Sequence, residues 1–360
     1  MRFGTWLVSI LFVFGPFFRL QAGETDFFRE CVDCSVTELD SFFNETKTPY
    51  ESFKLLHSRG SKGPAVLFHG LGDSPYYMKD IAELYFRNGY DVYSTLVEGH
   101  GNTPEQLNSI HYAKWNAQAE AIISGLSARY RDQVLVAGFS NGGLISTVAS
   151  LNPNIKSKIK SLLLLSPAFG LKPSVQIKFK IFQGFERLVQ FLNVSVLNSY
   201  LEKLLTLKVR TNLCENCKGP VRYNDIPLNA PAQLLKNAAV LKRTSTIEIP
   251  TVMVLTSDDK TISLNSALGT FRKLFSGEKN LIWIQGNDPK TAVIPKNIPA
   301  DQMTVIHSAE IISHVLQLRT QGLARPEEAN MKVFDGVAAK VESLLLKKAS
   351  SMCVSFYMQL

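Results

Sequence analysis

Val134-Leu135-Val136-Ala137-Gly138-Phe139-Ser140-Asn141-Gly142-Gly143-Leu144-Ile145-Ser146-Thr147-Val148-Ala149 is the stretch on which the reading of this chain turns. Its first four residues are an unbroken apolar run of the kind that fills a strand buried on both faces, and the residues from Gly143 onward read as a helix. Between them stands Gly138-x-Ser140-x-Gly142. A strand-to-helix turn this sharp needs glycines two residues to either side of the serine, and it lifts the hydroxyl clear of the backbone as a nucleophile elbow does. The pentapeptide alone is a weak signal, so the argument rests on what flanks it.

The same alternation continues on both sides. Ala65 to Phe68, Lys160 to Leu165, Thr251 to Thr256 and Asn280 to Ile284 are further apolar strands, Tyr90 to Leu96 is another, and Tyr50 to His57 alternates weakly as an early one. Helical spacing appears over Tyr77 to Asn88, closed by Gly89 as a C-cap, over Ala113 to Tyr130, and over Leu264 to Phe275. This rhythm predicts an α/β fold with a doubly wound, mostly parallel sheet. Residues 171–236 break it and are expected to form an inserted helical cap, or lid. The core then comprises residues 49–170 and 237–348, and a final amphipathic helix carries Val333, Phe334, Val337, Val341 and Leu344. Residues 349–360 form a tail.

With 360 residues, 45% hydrophobic and 19% charged, the chain is globular and fits one large domain with an insertion. Residues 1–22 read as a cleaved signal peptide: Arg2, an apolar run from Trp6 to Phe18, then the small residues Ala22 and Gly23. The expectation is an exported protein, secreted or periplasmic, with an uncleaved membrane anchor as the alternative. Removing Arg2 and Arg19, and no acid, takes the net charge from +8 to +6. Between Leu171 and Arg210 seven bases face two acids, Glu186 and Glu202. That excess suits peripheral contact with an anionic membrane or simply a solvated helix face; it lacks the aromatic interleaving of a nucleic-acid groove, so no nucleic-acid partner is expected.

Residues 23–48 form an N-terminal extension holding Cys31 and Cys34; Cys214 and Cys217 make a second C-x-x-C, and Cys353 is left over. Disulfides are expected in an exported chain, with three pairings open and a four-cysteine zinc site as the sharper alternative. Neither pair is expected to follow a strand and open a helix, which disfavours a thioredoxin-like role.

A serine hydroxyl becomes a nucleophile when a histidine, oriented by a carboxylate, removes its proton. In a fold of this kind they follow in the order serine, acid, histidine. Ser257-Asp258-Asp259-Lys260-Thr261-Ile262 follows the next-but-one core strand after the elbow, and either aspartate could serve there or merely cap the next helix. Of six histidines only His307 and His314 come after the acid. His307 lies within Thr304-Val305-Ile306, where a strand would hold it, so His314, flanked by Ser313 and Val315, is the chosen base. The oxyanion needs two backbone N–H donors: Asn141, after the nucleophile, and Leu71, in the turn His69-Gly70-Leu71 that ends the first buried strand. His69 itself reads as a structural member of that turn.

With these parts in order, the sequence resembles the α/β-hydrolases of the monoacylglycerol-lipase, lysophospholipase and carboxylesterase group. The matching residues are His69-Gly70-Leu71-Gly72-Asp73-Ser74-Pro75, Glu98-Gly99-His100-Gly101, Trp115, Gly138 to Gly143, Ser166-Pro167-Ala168 and Asp259, within a span from Tyr50 to Leu346. The resemblance implies the α/β-hydrolase fold. It selects Asp259 over Asp258, because the family's acid stands three residues before an aliphatic residue, here Ile262. It implies ester hydrolysis through Ser140, Asp259 and His314 on a small-molecule ester or lipid, with no cofactor and no metal. An aminopeptidase or acyltransferase would use the same triad, and a binding protein on the hydrolase fold is the reading from another class. Glu98, where the group often has arginine, the long interval before His314 and the cysteine-containing insertion depart from the pattern.

Overall fold

The computed structural model describes residues 28–44, 51–101, 103–173, 176, 207–208, 225–227, 229–243, 245–291, 293–308 and 328–346. The signal-peptide segment, most of the proposed cap, Cys214, Cys217, His314 and Cys353 lie outside the described residues.

The strands are β1 (Arg29–Val32), β2 (Phe53–Leu56), β3 (Pro64–Phe68), β4 (Asp91–Thr95), β5 (Val134–Phe139), β6 (Ile159–Leu165), the short pair β7 (Leu207–Lys208) and β8 (Asp225–Ile226), then β9 (Thr251–Thr256), β10 (Lys279–Gln285) and β11 (Met303–His307). The helices are α1 (Val36–Asn44), α2 (Lys79–Arg87), α3 (Pro104–Ser109), α4 (Tyr112–Tyr130), α5 (Asn141–Ala149), α6 (Pro153–Lys156), α7 (Asn229–Val240), α8 (Leu264–Leu274) and α9 (Glu328–Val341). Nine strands form one sheet in the order β1-β2-β4-β3-β5-β6-β9-β10-β11. From β4 to β11 all neighbours are parallel, whereas β2 runs antiparallel to β4 and carries β1 parallel beside it. The doubly wound, mostly parallel sheet expected from the sequence is therefore present.

Period-two alternation sorts each central strand between two cores. Val66 and Phe68 of β3 and Val134 and Val136 of β5 join α4, α5, α7 and α8 on one face. Ala65 and Leu67, with Leu135, Ala137 and Phe139, join α1, α2 and α9 on the other. Gly89 closes α2 as expected: its φ is 90° and its N–H donates to the Phe86 carbonyl at 2.8 Å.

Three features extend this frame. Helix α7 begins inside the segment assigned to the cap and runs on to Val240; the Asn116 and Asn237 side-chain amides exchange hydrogen bonds of 2.9 and 3.0 Å, which fasten it to α4. The extension supplies the edge strand β1 and helix α1. Cys31 lies within that strand and Cys34 two residues before that helix, their Cα atoms 6.0 Å apart as a close pair. The motif thus starts inside the strand and stops short of the helix, whose first turn Ser35 and Glu38 close as a capping box, with Ser35 N–H donating to Glu38 Oε2 at 2.7 Å. Finally, β11 is a whole additional strand beyond β10, and the residues that build it account for the long interval between the acid and His314. Among the described residues no cluster of side chains suits a metal ion, and no helix is long and apolar enough to cross a membrane.

Candidate active site

The carboxyl ends of parallel strands share one edge of a sheet, and that edge gathers most of the sequence-derived candidates. Leu71 follows β3, Ser140 follows β5, Asp258 and Asp259 follow β9, and His307 ends β11.

Ser140 has φ 51° and ψ −111°, a conformation that non-glycine residues avoid. It is over-determined on both sides. Its N–H donates to the Leu165 carbonyl of β6 at 2.9 Å, and its own carbonyl accepts from Leu144 at 3.1 Å and Ala168 at 2.9 Å. The flanking glycines are required by contact. A β-carbon on Gly138 would overlap the Gly142 peptide, one on Gly142 would overlap the Phe68 carbonyl, and one on Gly143 would stand 3.0 Å from the Gly138 carbonyl oxygen and from Pro167 Cβ. The elbow is thus wedged between β3 and the Ser166-Pro167-Ala168 turn, whose supporting role the sequence did not disclose. Ser140 remains 8% exposed, while Asn141 is fully buried at the start of α5.

Neither the Leu71 nor the Asn141 N–H donates to a carbonyl among the described residues, as an oxyanion pair requires. The Leu71 turn is held by close approach: a β-carbon on Gly70 would meet the Asp73 carboxylate and stand 2.9 Å from the Phe139 ring. His69 braces it. The Val97 N–H donates to His69 Nε2 at 3.0 Å, so Nδ1 carries the proton and donates to the Gly70 carbonyl at 2.8 Å. Full burial, reinforced by the neighbouring His100, pushes the His69 imidazole well below its ordinary pKa. With both nitrogens engaged and the ring neutral, His69 is a structural brace, as its place in the turn suggested.

His100 is buried too, its Nδ1 on the Val97 carbonyl at 3.0 Å, and burial lowers its pKa to about 4. Glu98, one of the departures, uses its backbone here: its carbonyl accepts from Trp115 Nε1 at 3.0 Å and its N–H donates to Gln118 Oε1 at 2.9 Å. The loop it belongs to is thereby tied to α4 and, through His69, to the oxyanion turn.

The two aspartates face different ways. Asp259 is fully buried, and its Oδ1 accepts from the amides of Thr261 at 2.8 Å and Ile262 at 2.9 Å. That turn is pinned toward β6, because Lys172 N–H donates to the Thr261 carbonyl at 3.1 Å and Ser263 N–H to the Gly170 carbonyl at 2.8 Å. Asp258 Oδ1 instead accepts from Ser257 Oγ at 2.9 Å and Thr291 Oγ1 at 2.5 Å, and its carboxylate abuts Gly286. Gly286 and Thr291 follow β10, on the side of β9 away from the elbow.

His307 is paired with Gln285 at the end of β11 and is exposed. Four strand spacings separate β11 from β5, about 19 Å at ~4.8 Å each. A histidine fixed in that strand does not reach Ser140. His57 lies at the opposite edge with Asp91, 3.2 Å away, and His111 caps α4 by accepting from the Ala113 N–H.

Comparison with known proteins agrees with this arrangement. The family model for serine aminopeptidase S33 matches residues 60–287, more than half of the chain. A curated relative, the thermostable monoacylglycerol lipase of Bacillus sp. (strain H-257), is 31% identical over 91 residues, 25% of this chain and 36% of the lipase, so the chain spans about a third of that relative's length in the match. Among solved structures, a soluble variant of Saccharomyces cerevisiae monoglyceride lipase in complex with a substrate analogue superposes with a TM-score of 0.53 at 14% identity, covering 81% of this chain and 88% of the lipase. A thermostable carboxyl esterase from Bacillus coagulans gives 0.52 at 13% identity, covering 82% and 94%. These likenesses show the α/β-hydrolase fold. The matched span takes in the elbow, the Leu71 turn and the Asp258-Asp259 loop, and the chain belongs to the serine aminopeptidase S33 family.

Proposed function

We propose that the chain is a serine ester hydrolase acting on a lipid-like monoester, with Ser140 as nucleophile, Asp259 as acid, His314 as base, and the Leu71 and Asn141 amides as oxyanion donors. The strained Ser140, held between the oxyanion turn and the acid loop at one sheet edge, carries this reading. His314 follows by elimination. His57, His69, His100 and His111 are bonded elsewhere, and His307 stands in an edge strand four spacings from β5. His314 lies seven residues beyond His307, a tether of up to about 24 Å at ~3.5 Å per residue, enough to span the distance from β11 to the elbow.

In the first step His314 takes the hydroxyl proton as Ser140 Oγ bonds to the acyl carbon, and the oxyanion settles on the Leu71 and Asn141 N–H groups. The C–O bond to the alcohol then breaks with the proton returned from His314. Water, deprotonated by the same histidine, releases the acid and restores Ser140. The lipase and esterase names of the relatives support an ester as substrate. The apolar, basic composition of residues 171–236 supports an acyl pocket beneath a lid, and the N-terminal pattern supports export.

Fluorophosphonate labelling and turnover of p-nitrophenyl esters from acetyl to palmitoyl test the assignment. Ser140→Ala should abolish both, and His314→Ala should lower turnover by about a thousandfold or more, while His307→Ala stays within about twofold of wild type. Labelling that survives Ser140→Ala overturns the nucleophile. The family's description as a serine aminopeptidase favours a second reading, in which an aminoacyl amide replaces the ester; faster turnover of aminoacyl p-nitroanilides than of any ester would establish it.

A further inference from the structure

Among the described residues three large apolar side chains are exposed, and two of them are neighbours: Val293, 61% exposed, and Ile294, 45% exposed. They lie in the connection between β10 and β11, which leaves the carboxyl edge of the sheet beside the acid loop. The connection is anchored on both sides of them. Upstream, Thr291 Oγ1 donates to Asp258 Oδ1 at 2.5 Å, and the turn closes through Thr291 N–H to the Asp288 carbonyl at 3.0 Å and Val293 N–H to the Thr291 carbonyl at 2.7 Å. Downstream, the Lys296 carbonyl accepts from Arg272 Nη1 at 3.5 Å, and Ile298 is buried in the main core. Pro295 restricts the backbone between them. The pair is therefore held out by its own loop, one residue contact from Asp258 and hence next to Asp259.

Its flanks are basic. Lys290 and Lys296 are both exposed; of the connection's two acids, Asp288 turns its Oδ1 to the Lys290 N–H at 3.0 Å, and Asp301 lies beyond the buried Ile298. Two side chains are far too little surface for a stable protein interface, which needs roughly 800 Å² from each partner. An apolar tip between ammonium groups suits a lipid surface with anionic headgroups, where the tip passes below the phosphates and the lysines meet them.

We infer that residues 290–296 form an interfacial anchor: Val293 and Ile294 insert into an anionic lipid surface while Lys290 and Lys296 contact its headgroup phosphates, setting the mouth of the candidate site against that surface. This rests on the lipid-ester reading above and adds where the enzyme meets its substrate phase. It uses residues other than those of the basic segment between Leu171 and Arg210.

Sedimentation of the full chain with phosphatidylcholine vesicles, with and without phosphatidylglycerol, tests it. Val293→Asp with Ile294→Asp should lower the partition coefficient by about tenfold or more, as expected for withdrawing two aliphatic side chains from an apolar phase. Lys290→Glu with Lys296→Glu should weaken binding to the anionic vesicles and leave the zwitterionic ones unchanged. Turnover of the water-soluble p-nitrophenyl acetate, and the urea midpoint, should match wild type in both variants, since the substituted side chains are exposed. Equal sedimentation of wild type and the Val293→Asp, Ile294→Asp variant overturns the anchor and leaves any vesicle binding to another surface. Absence of ester turnover in the wild type would count against the hydrolase reading alone, because vesicle partition is read without it.

Discussion

Substituting Gly142 by alanine puts a methyl group where α5 crosses the end of β3. The new β-carbon would overlap the Phe68 carbonyl and stand 2.7 Å from the His69 carbonyl oxygen. Ordinary contact begins near 3.4 Å, so the His69 contact alone asks for about 0.7 Å of movement, and the tighter Phe68 contact makes the two elements part by more than 1 Å. Every atom involved is backbone, and no rotamer change relieves the contact. Overpacking of this kind costs about 1–3 kcal/mol. The displaced groups are also the chemical ones: Ser140 and the Asn141 amide on one side, the Leu71 amide on the other. A misplacement of about 1 Å in such an array costs about 100-fold in rate. Gly142→Ala should therefore lose about 2 kcal/mol in urea denaturation and roughly 30- to 100-fold in kcat/KM for a p-nitrophenyl ester, with fluorophosphonate labelling slowed in proportion. Turnover within about twofold of wild type at an unchanged urea midpoint would refute the claim that glycine is required here by contact.

The same measurement on Gly269→Ala, in α8 with nothing within 4 Å of the added carbon, should show a gain of about 0.5–1 kcal/mol, since only the unfolded chain's freedom changes. His69→Ala removes the acceptor of the Val97 N–H and the donor to the Gly70 carbonyl and leaves a cavity. It should cost about 3 kcal/mol, and ester turnover should fall with it because the Leu71 turn loses its brace. Stability should also fall with acidification. The His100 pKa is about 4 when folded, against about 6.5 unfolded, so between these values the unfolded chain binds the additional proton. The contribution is complete above about pH 6.5 and is lost as pH falls toward 4, about 2 kcal/mol of it by pH 5. His69, likewise buried and held well below its ordinary pKa, adds in the same direction. Stabilities from urea denaturation at pH 7.5 and 5 should therefore differ by at least about 2 kcal/mol, and a His100→Gln variant that shows the same slope would remove His100 as a source.

Much of this was written locally in the chain. The apolar runs of β3, β5, β6, β9 and β10 announce buried strands because each must fill two faces, and the glycines around Ser140 announce the elbow because no other residue fits. The pairing of Leu71 with Asn141 follows from strand order alone. Asp259 was separable from Asp258 only by resemblance until their partners were seen, since adjacent carboxylates look alike in sequence and differ in which strand's loop they bond. The roles of Ser166-Pro167-Ala168 and of α7, and the partner of His69, were hidden for the same reason: each acts through residues distant in the chain, Ser140, Asn116 and Val97.

By itself, the sequence determined the class of sheet and the place of the elbow, and it put the candidate catalytic residues in order, because these depend on periodicity and on backbone geometry that one short stretch dictates. The tertiary structure alone decided that the strand expected at Thr304 to Ile306 pairs with β10 and ends the sheet. A strand's place in a sheet depends on long-range pairing, which no local pattern records. That added strand carries His307 four spacings from Ser140 and sets Val293 and Ile294 in a loop beside the acid. Reach, exposure and proximity are properties of the assembled sheet, and they decide which of the candidate residues stand together at one end of it.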